Sequence, residues 1–369
     1  MYLFERLFGV GVYSLILVAV CWTIASCKSN KKVKYILLLY TVALSVMGFF
    51  FLPYITADLY RIYGYLENFK TMDISVFWER YQNSSTFVAY FYYWLVSKTG
   101  EIRLLPAINA FICYSCIFYV FRKVMEKYNI SKKSFAIALF FYMSIGTYMF
   151  VISGIRTMLA ISLVMFCFFR ETIEKKFKLY HVFIYFIAAF IHNLAVVIIL
   201  VRLIIPLVSK GITLFQRAVY MVFLFATTIF IFINFSELIE SVRARADGYL
   251  NGDMYSYLWE YVIGAFVIAI SLIALIKVKS TDIGEGELSQ VKSFSIVCIA
   301  TAVAFCFEYS IFHRLSTYAN AITVTPILML YLDKYGDHNK RQLILWASVA
   351  LLFIACARGA LCSLKFFIL

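Results

Sequence analysis

The sequence predicts an all-α, polytopic integral membrane protein of about ten to twelve spans, and three observations carry that prediction. Hydrophobic residues occupy 63% of the 369 positions and charged residues only 15%, whereas a soluble domain carries about 25% charged residues. The mean hydropathy is +0.86. The apolar residues fall in long runs, not in the two-residue alternation of an outer-membrane barrel. At about 20 residues per span, eleven spans would absorb roughly 220 residues, or about 60% of the chain. The same numbers exclude disordered, collagenous, coiled-coil and disulfide-rich secreted classes.

The net charge of +14, from 34 Lys and Arg against 20 Asp and Glu, is expected where cytoplasmic loops collect cations. It does not call for nucleic acid. The nine cysteines sit in or beside apolar runs. Cys113 and Cys116 are spaced C-x-x-C without a second pair or a nearby His, so they read as small core residues.

Charge and hydropathy then order the elements. The first run, Phe8 to Cys27, precedes Lys28, Lys31, Lys32 and Lys34, which places the N-terminus outside and the lysines in the cytoplasm. Ile24-Ala25-Ser26-Cys27 has the outline of a lipoprotein cleavage box, but no basic n-region precedes it, so an uncleaved first span is expected. Tyr35 to Leu52 runs outward into an outer loop, 53–103, with Asp58, Arg61, Asp73, Glu79 and Arg80. Within that loop, Thr86 to Val96 is aromatic but too short to cross, and is expected as a helix lying at the interface. Leu104 to Phe121 returns, Ser134 to Val151 goes out as one span, and Ile155 to Phe169 comes back to Arg170, Lys175, Lys176 and Lys178. The apolar stretch Leu179 to Lys210 is too long for one span, yet must start and end on the same side. A re-entrant pair of short helices broken near His192-Asn193 satisfies both conditions, and such breaks occur at membrane depth where they line a cavity. Further spans are expected at Ala218–Phe235, Leu258–Ile276, Ser293–Phe307, His313–Leu332 and Leu343–Ala357, with a second outer loop at 236–257 and cytoplasmic loops at Lys277–Lys292 and Asp333–Arg341. No internal repeat divides the chain, so 1–369 reads as a single transmembrane domain.

Polar groups in an apolar zone are costly and mark functional sites. Under this topology Asp58, Arg61, Arg156, His192, Glu308, His313 and Arg314 converge on the outer face. Arg156, after Ser153-Gly154, reads either as a snorkelling arginine or as an anion site formed with the N–H groups of a helix start. His192, in FIAAFIHNLAVV, is either a hydrogen-bonded buried residue or a general base at the break. Glu308, His313 and Arg314 bracket an outer turn that an ion pair could tie, while Arg314 with Tyr318 one helical turn on could contact a phosphate or sugar. His181, next to the lysine loop, reads as structural, and Arg243 and Arg245 as solvated. The sequence has no P-loop, G-x-G-x-x-G, H-E-x-x-H or G-x-S-x-G and no metal-ligand cluster, so no metal and no cofactor are expected.

Four segments together resemble one family, the EpsG-like, Wzy-type bacterial polysaccharide polymerases. Asp58-Leu59-Tyr60-Arg61 is similar to its early acidic motif, and Ser153-Gly154-Ile155-Arg156 with Ala160 to its G-I-R-Q-x-x-A helix start. Phe190-Ile191-His192-Asn193-Leu194-Ala195 is similar to its F-H-x-S-A break, and Arg314, Tyr318 and Pro326 to its late R-x-x-x-Y helix. Thr157 stands where the family has glutamine, and Leu194 where it has serine.

The resemblance implies a metal-independent, GT-C-like glycosyltransferase of the bacterial cytoplasmic (inner) membrane, active toward the periplasm or cell exterior. It implies a substrate of undecaprenyl-pyrophosphate-linked oligosaccharide repeats, with membrane lipid around it and a flippase and chain-length regulator beside it. O-antigen, capsule or exopolysaccharide would be the product. Arginines suit the leaving pyrophosphate, so Arg156 and Arg314 are assigned there, then Arg61. His192 or Asp58 is the expected base, and Tyr318, Asn193 and Glu308 complete the binding set. Another lipid-donor glycosyltransferase or ligase, and a transporter or flippase of lipid-linked glycan, are the competing readings.

Overall fold

The computed structural model describes residues 2–208 apart from 56 and 176, together with 222, 225, 258–279, 287–304, 306, 312–357, 361 and 364–366. These residues form an all-α polytopic membrane protein. Among them there is no strand, and a lone antiparallel bridge joins Phe51 to Phe366. Apart from Val222 and Phe225, the span expected at Ala218–Phe235 lies outside the described residues, as do the second outer loop at 236–257 with Arg243 and Arg245, and Glu308.

Helices α1 (Tyr2–Ser26) and α2 (Asn30–Phe49) meet at a short turn where the Ser29 hydroxyl accepts from the Lys31 N–H, satisfying one orphan donor of the new helix. The loop 53–103 is more structured than its sequence predicts. It folds into α3 (Asp58–Lys70), α4 (Ile74–Tyr81) and α5 (Phe87–Ser97), where a single helix was expected. Leu59, Ile62, Leu66 and Phe69 give α3 a buried face that packs on α5. That stripe repeats every three or four residues, as an amphipathic helix requires, but it is too sparse to register as an apolar run.

Helix α6 (Leu104–Lys127) packs against α2 and against α9 (Ile155–Ile173). The continuous span expected over Ser134–Val151 is interrupted. Helix α7 (Lys132–Ser144) stops at Gly146, whose φ of 83° is left-handed, and the short α8 (Thr147–Ile152) follows. A left-handed residue ends a helix, and glycine adopts it without a Cβ clash.

Beyond α9 come α10 (Leu179–Ile191) and α11 (Asn193–Val208), then α12 (Leu258–Lys277), α13 (Glu287–Ala304), a π-helical turn (Arg314–Ala319), α14 (Asn320–Lys334) and α15 (His338–Ala357). Six described helices are long and apolar enough to cross a bilayer, with shorter apolar helices around them. Two expected spans start earlier than their apolar cores, at Glu287 and His338, because helices run on past the hydrophobic stretch into polar residues.

The π turn and α14 form the centre, with Leu315–Leu332 buried throughout. Lipid offers helices no hydrophobic reason to associate, so packing and polar bonds must join them. Asn320 does so here. Its amide donates to the Ser271 hydroxyl at 2.9 Å and accepts from Ser295 at 3.2 Å, tying α12 and α13 to α14.

The pair α10 and α11 is a hairpin, as its length required. His192 between them is extended (φ −156°, ψ 130°). A straight helix would separate His181 from Arg202 by about 31 Å at 1.5 Å per residue. Instead both reach the same Glu171 carboxylate on α9, His181 Nδ1 at 3.3 Å and Arg202 at 2.7 Å. The chain therefore reverses at His192, and each arm is shorter than the about 30 Å hydrocarbon core.

The turns at the far end from His192 are drawn together and basic. The Ser131 N–H donates to Asp333 at 2.9 Å, and Lys127 reaches the Ile173 carbonyl. Lys132, Lys133, Lys175, Lys334, Lys340 and Arg341 lie in or beside these turns.

Candidate functional site

At the opposite end, a cavity of about 470 Å³ opens where three helix discontinuities and one amphipathic helix meet. Asp58, Arg61, Ile62 and Tyr65 supply one wall. Their spacing puts all four on one face of α3. Tyr90 and Tyr93, one turn apart on α5, supply the next. Residues 153–157 form the floor, His192 enters from the hairpin tip, and Arg314 stands at the start of the π turn.

Each discontinuity has a local cause. Gly154 is the N-cap of α9 and offers no side-chain cap, so the first-turn N–H groups of α9 have no intrahelical acceptor and carry the positive end of the helix dipole. They line the cavity beside the Arg156 side chain. A Cβ on Gly154 would come within 3.0 Å of the Phe150 carbonyl oxygen, which explains a small residue at this turn. The His192 imidazole caps α11, with Nδ1 accepting from the Leu194 N–H at 3.0 Å. In the neutral ring the proton is then on Nε2. At Arg314 the helix widens into a π turn, an irregularity common at functional sites.

The cavity is cationic. Arg61, Arg156 and Arg314 face a single carboxylate, Asp58, among its described lining residues. Asp58 is paired with Arg61 one turn on. Among the described residues no carboxylate pairs with Arg156 or Arg314. The tyrosines register that field. Burial pushes the Tyr90 phenol up and Tyr65 adds to it, while the Arg156 guanidinium pulls it down. Tyr93 is likewise raised by burial and opposed by Arg156. Among the described residues no group of three or more His, Cys, Asp or Glu is placed to hold a metal.

Five of the nine residues singled out from sequence therefore meet in one cavity: Asp58, Arg61, Arg156, His192 and Arg314. Tyr318 does not line it. It is buried, its ring 4.6 Å from Phe150 and 5.1 Å from His313. Asn193 begins α11 and is not among the lining residues. Tyr65, Ser153 and Thr157 line the cavity without having been singled out. Tyr65 was findable, being four residues after Arg61 on a helix.

The EpsG family profile matches residues 58–367, which begins at the first cavity residue and includes all the others. The chain belongs to the EpsG family. This is the family of Wzy-like polysaccharide polymerases. No curated relative and no solved structure matches the chain.

Proposed function

We propose that this EpsG-family chain joins undecaprenyl-pyrophosphate-linked oligosaccharide repeats into a surface polysaccharide at the outer face of the cytoplasmic membrane. The observation that carries this reading is the cavity's cationic floor: Arg156 and Arg314, without carboxylate partners among the described residues, together with the start of α9. Such a floor calls for a multiply charged anion. The lysine-rich opposite end fits the cytoplasmic side, which turns the cavity outward.

In this mechanism the acceptor hydroxyl oxygen attacks the anomeric carbon of the donor. The sugar–oxygen bond to pyrophosphate breaks, and the lipid pyrophosphate leaves with the electron pair. Arg156, Arg314 and the α9 amides hold the charge that develops on the leaving oxygen, where fixed donors stabilise a transition state most. The acceptor proton goes to Asp58. The Leu194 N–H bond to His192 Nδ1 supports Asp58 over His192 for that role, because a neutral ring accepting at Nδ1 carries its proton on Nε2. His192 then orients a substrate oxygen as a donor. Tyr65 and Tyr90, half-exposed on the cavity wall, offer faces for sugar rings.

The direct test is purified protein with a lipid-pyrophosphate-linked repeat and products resolved by size. A ladder spaced by one repeat is expected. A single addition that depends on a separate lipid-phosphate sugar donor would replace the polymerase with a simpler transferase, and transbilayer movement without a new bond would replace it with a transporter.

His192 has its own test. Glutamine at 192 keeps a donor but cannot act as a base. His192→Gln is expected to retain roughly 1–10% of the wild-type rate, while His192→Phe falls by about 10²-fold or more. Equal loss in the two variants, with both folded, would return His192 to the base role.

A further inference from the structure

A second cavity, of about 630 Å³, lies at the basic end, where α1 and α15 both pack on α7 and leave a groove between them. Its walls are apolar. Val18 and Trp22 on α1 face Trp346 and Val349 on α15, and Ala136 of α7 keeps the floor low. Both indoles are largely exposed, Trp22 at 75% and Trp346 at 67%, so protein does not cover them. At the groove's mouth stand Lys133 and Arg341, with His338 and Gln342, and among the described residues no acidic side chain lines it. The acidic residues nearest in sequence are engaged elsewhere. Asp333 accepts from the Ser131 N–H, and Asp337 is paired with Lys340 at 2.9 Å. Arg341 is held at the rim, its Nε donating to the Leu332 carbonyl at 3.1 Å.

We propose that this groove binds one anionic phospholipid from the leaflet at the basic end, an acyl chain lying between Trp22 and Trp346 and the phosphate resting on Lys133 and Arg341. An apolar slot continuous with a cationic mouth matches a molecule that is hydrocarbon at one end and phosphate at the other. Basic pockets between transmembrane helices on the cytoplasmic side recognise anionic headgroups in this way. Tryptophan belongs at the depth where chain meets headgroup. Trp346 is five residues along α15 from Arg341, about 7–8 Å at 1.5 Å per residue, so one lipid reaches both. A zwitterionic lipid would fill the slot equally but would bring its own cation to the mouth. The groove is at the opposite end from the Arg156 cavity, so the proposal does not depend on the reaction assigned there.

The test is native mass spectrometry of the purified full chain titrated separately with phosphatidylglycerol and phosphatidylcholine. One phosphatidylglycerol per chain is expected to persist at collision energies that strip phosphatidylcholine. Lys133→Gln is expected to weaken phosphatidylglycerol binding several-fold, and Lys133→Gln with Arg341→Gln by roughly ten- to thirty-fold. Phosphatidylcholine should be unaffected by either change. Val18→Trp, which fills the slot from an exposed position, should weaken both lipids. Because Lys133 is exposed and holds no helix end, Lys133→Gln folds even if the double variant does not. Equal retention of the two lipids would overturn the proposal, as would wild-type retention in Lys133→Gln. Displacement of phosphatidylglycerol by polyprenyl phosphate at equal concentration, or a chain dimer cross-linked through cysteines at 22 and 346, would assign the groove to another occupant and equally overturn it.

Discussion

Arg156→Ala is expected to abolish chain extension, lowering the rate by about 10²–10³-fold or more, which is the usual cost of removing one donor aimed at developing transition-state charge. Three features make this the most sensitive position of the cavity. Arg156 sits in the first turn of α9, so its charge adds to the helix dipole at one point. Among the described residues it has no carboxylate partner, so its field is directed into the cavity and not into an ion pair. It also shares the cavity with both wall tyrosines, Tyr90 and Tyr93, whose phenols its charge pulls down against burial. Arg156→Lys is expected to recover little, because an ammonium cannot offer two parallel N–H groups to a phosphate. Arg61→Ala should cost less, since Arg61 is already paired with Asp58 on the exposed rim. The measurement is single-turnover ladder formation with each variant, alongside thermal unfolding in detergent. A folded Arg156→Ala protein that extends chains at the wild-type rate would remove pyrophosphate from the cavity floor.

The cavity was legible in the sequence because charged residues in an apolar chain are few, and the alternation of spans sorted them by side. Asp58, Arg61, Arg156, His192 and Arg314 could be brought to one face by topology alone. The break at His192 was legible for the same reason, since a stretch beginning and ending among cations must turn back. Local geometry was less accessible. Helix α3 rests on a short amphipathic stripe and α4 on the single buried Phe77, which a hydropathy scan passes over, and Gly146 looks like any small residue until its φ is known. The π turn between Arg314 and Ala319 is likewise invisible in the sequence, where the segment reads as ordinary helix. The sequence left the base open between His192 and Asp58, because only the structure shows the His192 Nδ1 accepting from a backbone N–H.

Arg202 was also missed, although an arginine inside VVIILVRLIIP is the kind of residue that apolar context should expose. Its role explains how the hairpin tip is held. Arg202 and Glu171 are buried to 1% and 2% side-chain exposure and meet at 2.7 Å. Tyr185 donates to the same carboxylate at 3.0 Å, and the guanidinium lies 4.6 Å from the centre of the Phe168 ring. With His181, this network fastens both arms of the α10–α11 hairpin to α9, the helix that also carries Arg156. Position at the tip thus depends on charge at the base. Arg202→Met leaves the Glu171 carboxylate buried without its cation, and breaking a buried pair in this way costs about 3–5 kcal/mol. The variant is expected to unfold correspondingly earlier in a denaturant titration and to lose extension, since His192 no longer has a fixed approach to the cavity. Replacing both partners, Glu171→Leu with Arg202→Met, removes the orphaned charge, and its stability should return to within about 1–2 kcal/mol of wild type. That difference between the single and double variants separates an electrostatic clamp from mere packing volume. If Arg202→Met alone costs less than about 1 kcal/mol, the hairpin is held by its apolar contacts and the clamp is not what aims His192.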